Sequence, residues 1–272
     1  MMRRRKFLSC SMAVFVPGTT LGSDTLPPAR SIHDREGEST LLPAHGAGPL
    51  VYVSHRLGGV PAKGRQREAP WVMFDAMRRA GWHLVRSADA GPDTYGNDLA
   101  LSYCARMCSK AIQRVEWNGQ LFALGISMGA LPALQMTWKG LFPQPVVAVA
   151  TIDGAMNLQA IHSSPPERRK RIEAAYAEEE EGSFRKASRG HDPLNDFHDF
   201  SYRGIPLLAL ASSDDAVLPI AEHSKLMVAA SRSIGGKSEI VRTKGPHLAD
   251  SHFSEDASRL IIEFFSKHAH GL

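Results

Sequence analysis

The chain has 272 residues, 43% of them hydrophobic and 22% charged, enough for one sizeable domain with a buried core and unlike a disordered or membrane-spanning polypeptide. Its formal charge of +4 has a single source: Arg3, Arg4, Arg5 and Lys6 carry four of the 32 basic residues, and the remainder match the 28 acidic ones. A body so close to neutral leaves no electrostatic footprint for a nucleic acid, and no such partner is expected.

Residues 1–23 read as an export signal. A charged head, Met1 to Lys6, precedes the apolar run Phe7 to Val16, then Pro17, Gly18 and small polar residues. The run is too short to cross a bilayer but matches the core of a signal peptide. Arg4-Arg5-Lys6-Phe7-Leu8 is similar to the twin-arginine pattern of bacterial proteins exported already folded. Cleavage is expected near Gly22 or Ser23, leaving a periplasmic or secreted bacterial protein with no stable membrane span. Residues 24–49, rich in Pro, Gly and charge, predict an irregular arm with little core of its own.

From residue 50 to 272 strands and helices alternate as one domain. Leu50 to Ser54, Trp82 to Arg86, Leu121 to Ile126, Val146 to Ile152, Pro206 to Ala211 and Ser238 to Arg242 are strand candidates. Helical spacing covers Pro70 to Ala80, Asn97 to Val115, Gly129 to Lys139, Pro219 to Ala230 and Phe253 to His268. Apolar strands separated by helices predict an α/β fold: a mostly parallel central sheet with helices on both faces. The stretch of about residues 154–204 breaks the rhythm, because a simple crossover needs far fewer residues. Within it, Ser164-Pro165-Pro166-Glu167 has the form of a capping box opening a helix that runs to about Glu181. Its charges oppose the helix dipole, with Arg168 to Arg171 early and Glu178 to Glu181 late. A solvated surface helix and a mobile helical cap over a site both fit that arrangement.

Gly125-Ile126-Ser127-Met128-Gly129 matches G-x-S-x-G, a serine presented on a sharp strand-to-helix turn. The pentapeptide alone is a weak signal; its place between a strand candidate and a helix candidate gives it weight. A serine hydroxyl needs a base, itself oriented by a carboxylate. Asp214 and Asp215 fall just past one strand, and His247 just past the next. All these groups therefore share the sheet edge of Ser127, where ligands bind in such folds.

On these residues the chain, from about Leu50 to Lys267, resembles the α/β-hydrolase superfamily, in particular its exported serine esterases and lipases. The resemblance implies Ser127 as nucleophile and His247 as base. It implies Asp215 as the orienting acid in preference to Asp214, because Asp215-Ala216-Val217-Leu218-Pro219 fits the family's D-x-x-x-P turn. His252, five residues on, is the alternative base. The oxyanion hole is expected from the Met128 amide and from the amide of Arg56 or Leu57 in His55-Arg56-Leu57-Gly58-Gly59. The family commonly has His-Gly there, so Arg56 departs from the pattern and is also a candidate to hold an anionic substrate group.

The expected activity is hydrolysis of a small-molecule carboxylic ester. A peptidase, amidase or acyltransferase using the same residues, or an exported binding protein that does no chemistry, are the alternatives. No cofactor or metal is expected. Cys104 and Cys108 sit four apart on a helix candidate and read as ordinary thiols. His268 and His270 have no further ligands at zinc-like spacing. Tyr95, Tyr176 and Phe184 are candidates to line a site, whereas Trp71, Trp82 and Trp138 read as core or surface packing and His223 as a surface or packing residue.

Overall fold

The computed structural model describes residues 25–59, 69–163, 165–177 and 184–269. The export signal, His270 and Glu178 to Glu181 lie outside them, as does the expected cap residue Ser164.

Eight strands form one sheet: β1 (Arg30–Asp34), β2 (Gly37–Leu42), β3 (Gly48–Ser54), β4 (His83–Arg86), β5 (Trp117–Ile126), β6 (Val146–Ile152), β7 (Leu207–Ser212) and β8 (Glu239–Thr243). Their order is β1-β2-β4-β3-β5-β6-β7-β8. From β4 to β8 all neighbours pair in parallel, while β1–β2 and β2–β4 are antiparallel. The first two strands correct the expected irregular arm. Ile32, Leu41 and Leu42 are fully buried, so a hairpin of mostly polar sequence is held by three apolar side chains and by pairing to β4. Arg106, on the helix that follows β4, fixes its turn through Asp34 and Glu36 at 2.6 and 2.8 Å.

Alternation along the strands divides the core. Leu50 and Tyr52 of β3, with Leu121 and Ala123 of β5, face α2 (Asp98–Ile112), α3 (Ala130–Trp138) and α7 (Ser224–Ser233). Val51, Val53, Phe122 and Leu124 face α1 (Pro70–Arg79) and α8 (Glu255–Ala269). A strand covered on both faces has no use for polar side chains, which is why these strands read as continuous apolar runs. Each fully buried Leu, Val or Phe contributes about 1.5–3 kcal/mol relative to exposure.

Between β6 and β7 lie three short helices, α4 (Leu158–His162), α5 (Pro166–Ala175) and α6 (Phe184–Ala187). α5 ends earlier than its sequence predicts, because Tyr176 leaves helical geometry and sets its hydroxyl on the Tyr95 carbonyl at 3.0 Å. α7 starts five residues later than expected. His223 at its head has φ −121° and ψ −92° and turns its ring inward, where Nδ1 accepts the Met156 and Asn157 amides at 3.2 Å each.

Candidate active site

The carboxyl ends of β3, β5, β6, β7 and β8 meet on one edge of the sheet. β3 continues to β4 on one side and β5 opens the other, so the crevice there is the switch point at which ligands enter such sheets. Ser127 follows β5 directly and opens a 3-10 turn, Ser127–Gly129, leading into α3. Its φ of +51° is left-handed, a conformation that costs a non-glycine residue roughly 1–2 kcal/mol. The flanking glycines make the turn possible. A Cβ on Gly125 would lie 2.4 Å from the Ala130 Cα, and one on Gly129 would lie 2.3 Å from the Ser54 carbonyl oxygen.

Ser127 Oγ lies 2.8 Å from His247 Nε2. On the far side of the ring, Nδ1–H donates to Asp215 Oδ2 at 2.7 Å. With Nδ1 protonated toward a carboxylate, Nε2 is left as acceptor for the serine proton. Asp215 is itself fixed, its Oδ1 accepting the Val217 and Leu218 amides at 2.8 and 2.9 Å. Burial pushes its carboxyl up, but the His247 hydrogen bond, the Leu218 amide, the His247 charge and the Val217 amide outweigh burial and hold it below the usual range. Asp214, the other candidate, is exposed and accepts the Gly245 amide at 2.9 Å.

A second histidine–carboxylate pair lies behind the first. Asp153, at the end of β6, faces His252 Nδ1 at 2.7 Å, and both side chains are wholly buried. Asp153 also accepts the Leu248 amide at 2.8 Å and the Ser212 amide at 3.1 Å. His252 Nε2 faces the Lys244 carbonyl at 3.0 Å. Both ring nitrogens are thus taken up by oxygens of this buried network. His252 is therefore no base for Ser127. The pair ties the loop that carries His247 to β6 and β7, and sequence reading missed that role. Its signal was an aspartate closing the apolar strand VVAVATI. One oxygen or nitrogen each from Asp153, Asp215 and His247 lies within 4.8 Å of the others, and the hydrogen bonds above commit these atoms to N–H and O–H partners.

The loop after β3 is anchored by His55, whose Nδ1 meets the Arg56 carbonyl at 2.5 Å while Nε2 faces the Ala88 and Gly91 carbonyls at 3.1 Å each. Gly58 and Gly59 amides donate to the Pro92 and Arg56 carbonyls at 2.8 Å each. The amides of Arg56 and Leu57 have no acceptor among the described residues, and these two residues line a cavity of about 170 Å³ together with Ser127, Met128 and His247. All three candidate oxyanion residues thus line the same cavity as Ser127. Of six non-glycine residues with positive φ among those described, Ser127, Asp153 and Leu248 carry or support the serine–histidine contact, and Tyr95 lines the cavity. Strain of this kind concentrates at working sites.

The other candidates are placed plainly. Trp82 stacks on Phe265 and tilts against Phe122, Trp138 packs against Phe197 edge-on and Phe200, and Trp71 meets Phe74 edge-on. Tyr176 is buried, and Phe184 stacks on His162. Cys104 and Cys108 are buried free thiols on α2, each pushed up by burial.

No family model and no curated protein sequence matches the chain. Among solved structures it is similar to the acylaminoacyl peptidase of Pyrococcus horikoshii, with TM-score 0.63 and 14% identity over 90% of this chain and 42% of that one. It is similar to an S-formylglutathione hydrolase from Agrobacterium tumefaciens, with TM-score 0.66 and 12% identity over 88% and 94% of the two chains. It is also similar to Est1E from Butyrivibrio proteoclasticus, with TM-score 0.60 and 14% identity over 89% and 98%. The chain spans less than half the length of the peptidase.

Proposed function

We propose that this chain, which has the α/β-hydrolase fold, is a serine hydrolase that cleaves carboxylic esters through an acyl-enzyme on Ser127. The observation that carries the reading is the unbroken relay Ser127–His247–Asp215, at 2.8 and 2.7 Å, opening on a cavity lined by candidate oxyanion donors. In the first step Ser127 Oγ bonds to the ester carbonyl carbon while its proton passes to His247 Nε2. The negative charge that develops on the carbonyl oxygen is met by the Met128 amide and an amide of Arg56 or Leu57; each such donor lowers the barrier by roughly 3–4 kcal/mol. The carbon–oxygen bond to the alcohol then breaks, and the alcohol leaves with the proton held by His247. Water repeats the sequence in the second step: His247 takes its proton, the acid is released, and Ser127 regains its hydrogen. Asp215 keeps the ring in the required tautomer and stabilises the imidazolium. Residues 1–23 are proposed to deliver the protein to the periplasm or beyond.

A fluorescent fluorophosphonate should label the purified wild-type protein and leave Ser127→Ala unlabelled. Short p-nitrophenyl esters should be hydrolysed, with p-nitroanilides turned over far more slowly. Folded wild-type protein that neither labels nor hydrolyses any ester would exclude the reading and leave a binding protein on this fold. Equal rates on anilides would move the assignment to an amidase.

A further inference from the structure

The cavity beside Ser127 is uneven in charge. Among the described residues twelve line it; two of these carry guanidinium groups, Arg56 and Arg168, and none a carboxylate. The remaining wall is mostly apolar, with Leu57, Ile161 and Leu218 among its members. Arg56 is exposed, and its side chain has no hydrogen bond or ion pair among the described residues. Arg168 is held by the Val217 carbonyl at 3.2 Å and has no carboxylate partner among the described residues.

Two further observations make these cations more than a solvated surface. Tyr95 lines the same cavity at 3% exposure, and its hydroxyl is buried without a hydrogen-bond partner among the described residues. Such an orphan costs about 1–3 kcal/mol unless something fills it. Burial and nearby Asp93 push the Tyr95 phenol up while Arg171 and Arg168 oppose them, so it stays a donor at neutral pH. Arg168 also belongs to a basic run, Arg168 to Arg171, in the first turns of α5. Cations there oppose the helix dipole by about 0.3–1 kcal/mol each. A local misfit of this kind, in a chain whose body is otherwise charge-balanced, is expected where a ligand supplies the missing charge.

We propose that the substrate of this site is a small ester carrying an anionic group, held by Arg56 and Arg168 with the Tyr95 hydroxyl as a further donor while Ser127 reaches the ester carbonyl. The proposal rests on the hydrolase reading of Ser127 and adds the substrate's charge.

The test compares kcat/KM for two matched ester pairs at low ionic strength. With charge on the acyl side, the pair is p-nitrophenyl hydrogen adipate and its neutral methyl ester. On the alcohol side it is 4-acetoxybenzoate and its methyl ester. In at least one pair the anionic member should be preferred by about tenfold or more, as one charge-assisted hydrogen bond allows. The preference should shrink as salt is raised. In Arg168→Gln the ratio within that pair should fall several-fold, whatever the variant's absolute rate, and Arg56→Gln should lower it further. Fluorophosphonate labelling of each protein reports separately on the serine. A labelled wild type that prefers neither anion, or a preference that survives in the double variant, overturns the anionic-substrate assignment and leaves the hydrolase standing. A folded wild type without labelling or turnover removes both.

Discussion

Replacing Asp153 by asparagine isolates the contribution of the buried pair behind His247. The substitution keeps size and shape, but three N–H groups converge on this side chain, from His252, Leu248 and Ser212 at 2.7, 2.8 and 3.1 Å. An amide has one oxygen to offer and one NH₂, so in either orientation at least one N–H meets another N–H. Each hydrogen bond to the carboxylate lost there costs about 1.5–3 kcal/mol. The bonds lost set an expected destabilisation of about 2–4 kcal/mol, a large share of a typical ~5–15 kcal/mol total. Because the Leu248 amide anchors the residue next to His247, the ring should also lose its register with Ser127, lowering kcat/KM on p-nitrophenyl acetate by about 10–100-fold. Urea unfolding followed by tryptophan fluorescence gives the first quantity and steady-state turnover the second. Asp214→Asn is the control: that carboxylate also accepts a loop amide but is exposed, and its removal should cost less than about 0.5 kcal/mol. If Asp153→Asn matches Asp214→Asn in both measurements, the pair does not hold the histidine loop and the argument fails.

Other outcomes follow from the same geometry. Burial holds the His223 ring down at about 4, below the ~6.5 of an unfolded chain. Between those values the unfolded chain binds a proton that the folded one does not, so stability, complete above the window, should fall by roughly 3 kcal/mol as pH drops through it. His223→Gln should flatten that part of the profile in pH-dependent urea titrations; an unchanged slope would assign it to other groups, Asp215 included. Ser127→Gly should be more stable than Ser127→Ala by about 1 kcal/mol, since both lack the hydroxyl and only alanine keeps a Cβ at φ +51°; equal melting midpoints would show an unstrained turn. Gly129→Ala should destabilise by more than about 3 kcal/mol or abolish labelling of Ser127, because its Cβ meets the Ser54 and His55 carbonyl oxygens at 2.3 and 2.6 Å. A fully labelled, stable Gly129→Ala would mean the elbow can shift.

Strands buried on both faces were legible because nothing polar interrupts them: LFALGI, VVAVATI and the run to Ala211 each stand out against charged surroundings. The elbow was legible because the steric demand for glycine on both sides of a left-handed serine leaves a local pattern. The hairpin of β1 and β2 was not, since its buried positions are few and its turn, Arg35-Glu36, lacks the glycine or asparagine that marks a tight reversal. Asp153 and His252 are separated by 99 residues, and no local rule pairs an aspartate ending one strand with a histidine beyond another. His223 read as a surface or packing residue, and its burial follows from two backbone amides that must find an acceptor; that demand exists only once β6 and α7 are side by side.

The helices between β6 and β7 contribute Ile161 and Arg168 to the cavity, whereas every group proposed to break bonds sits on the sheet edge or its loops. Part of the proposed selectivity, Arg168, therefore resides on a stretch of chain separate from the chemistry, while Arg56 and Tyr95 lie on loops that follow β3 and β4. A graft that exchanged residues 154–204 for a segment of different charge should retool which ester is accepted while leaving the cutting edge untouched, making this insertion the natural handle for laboratory evolution.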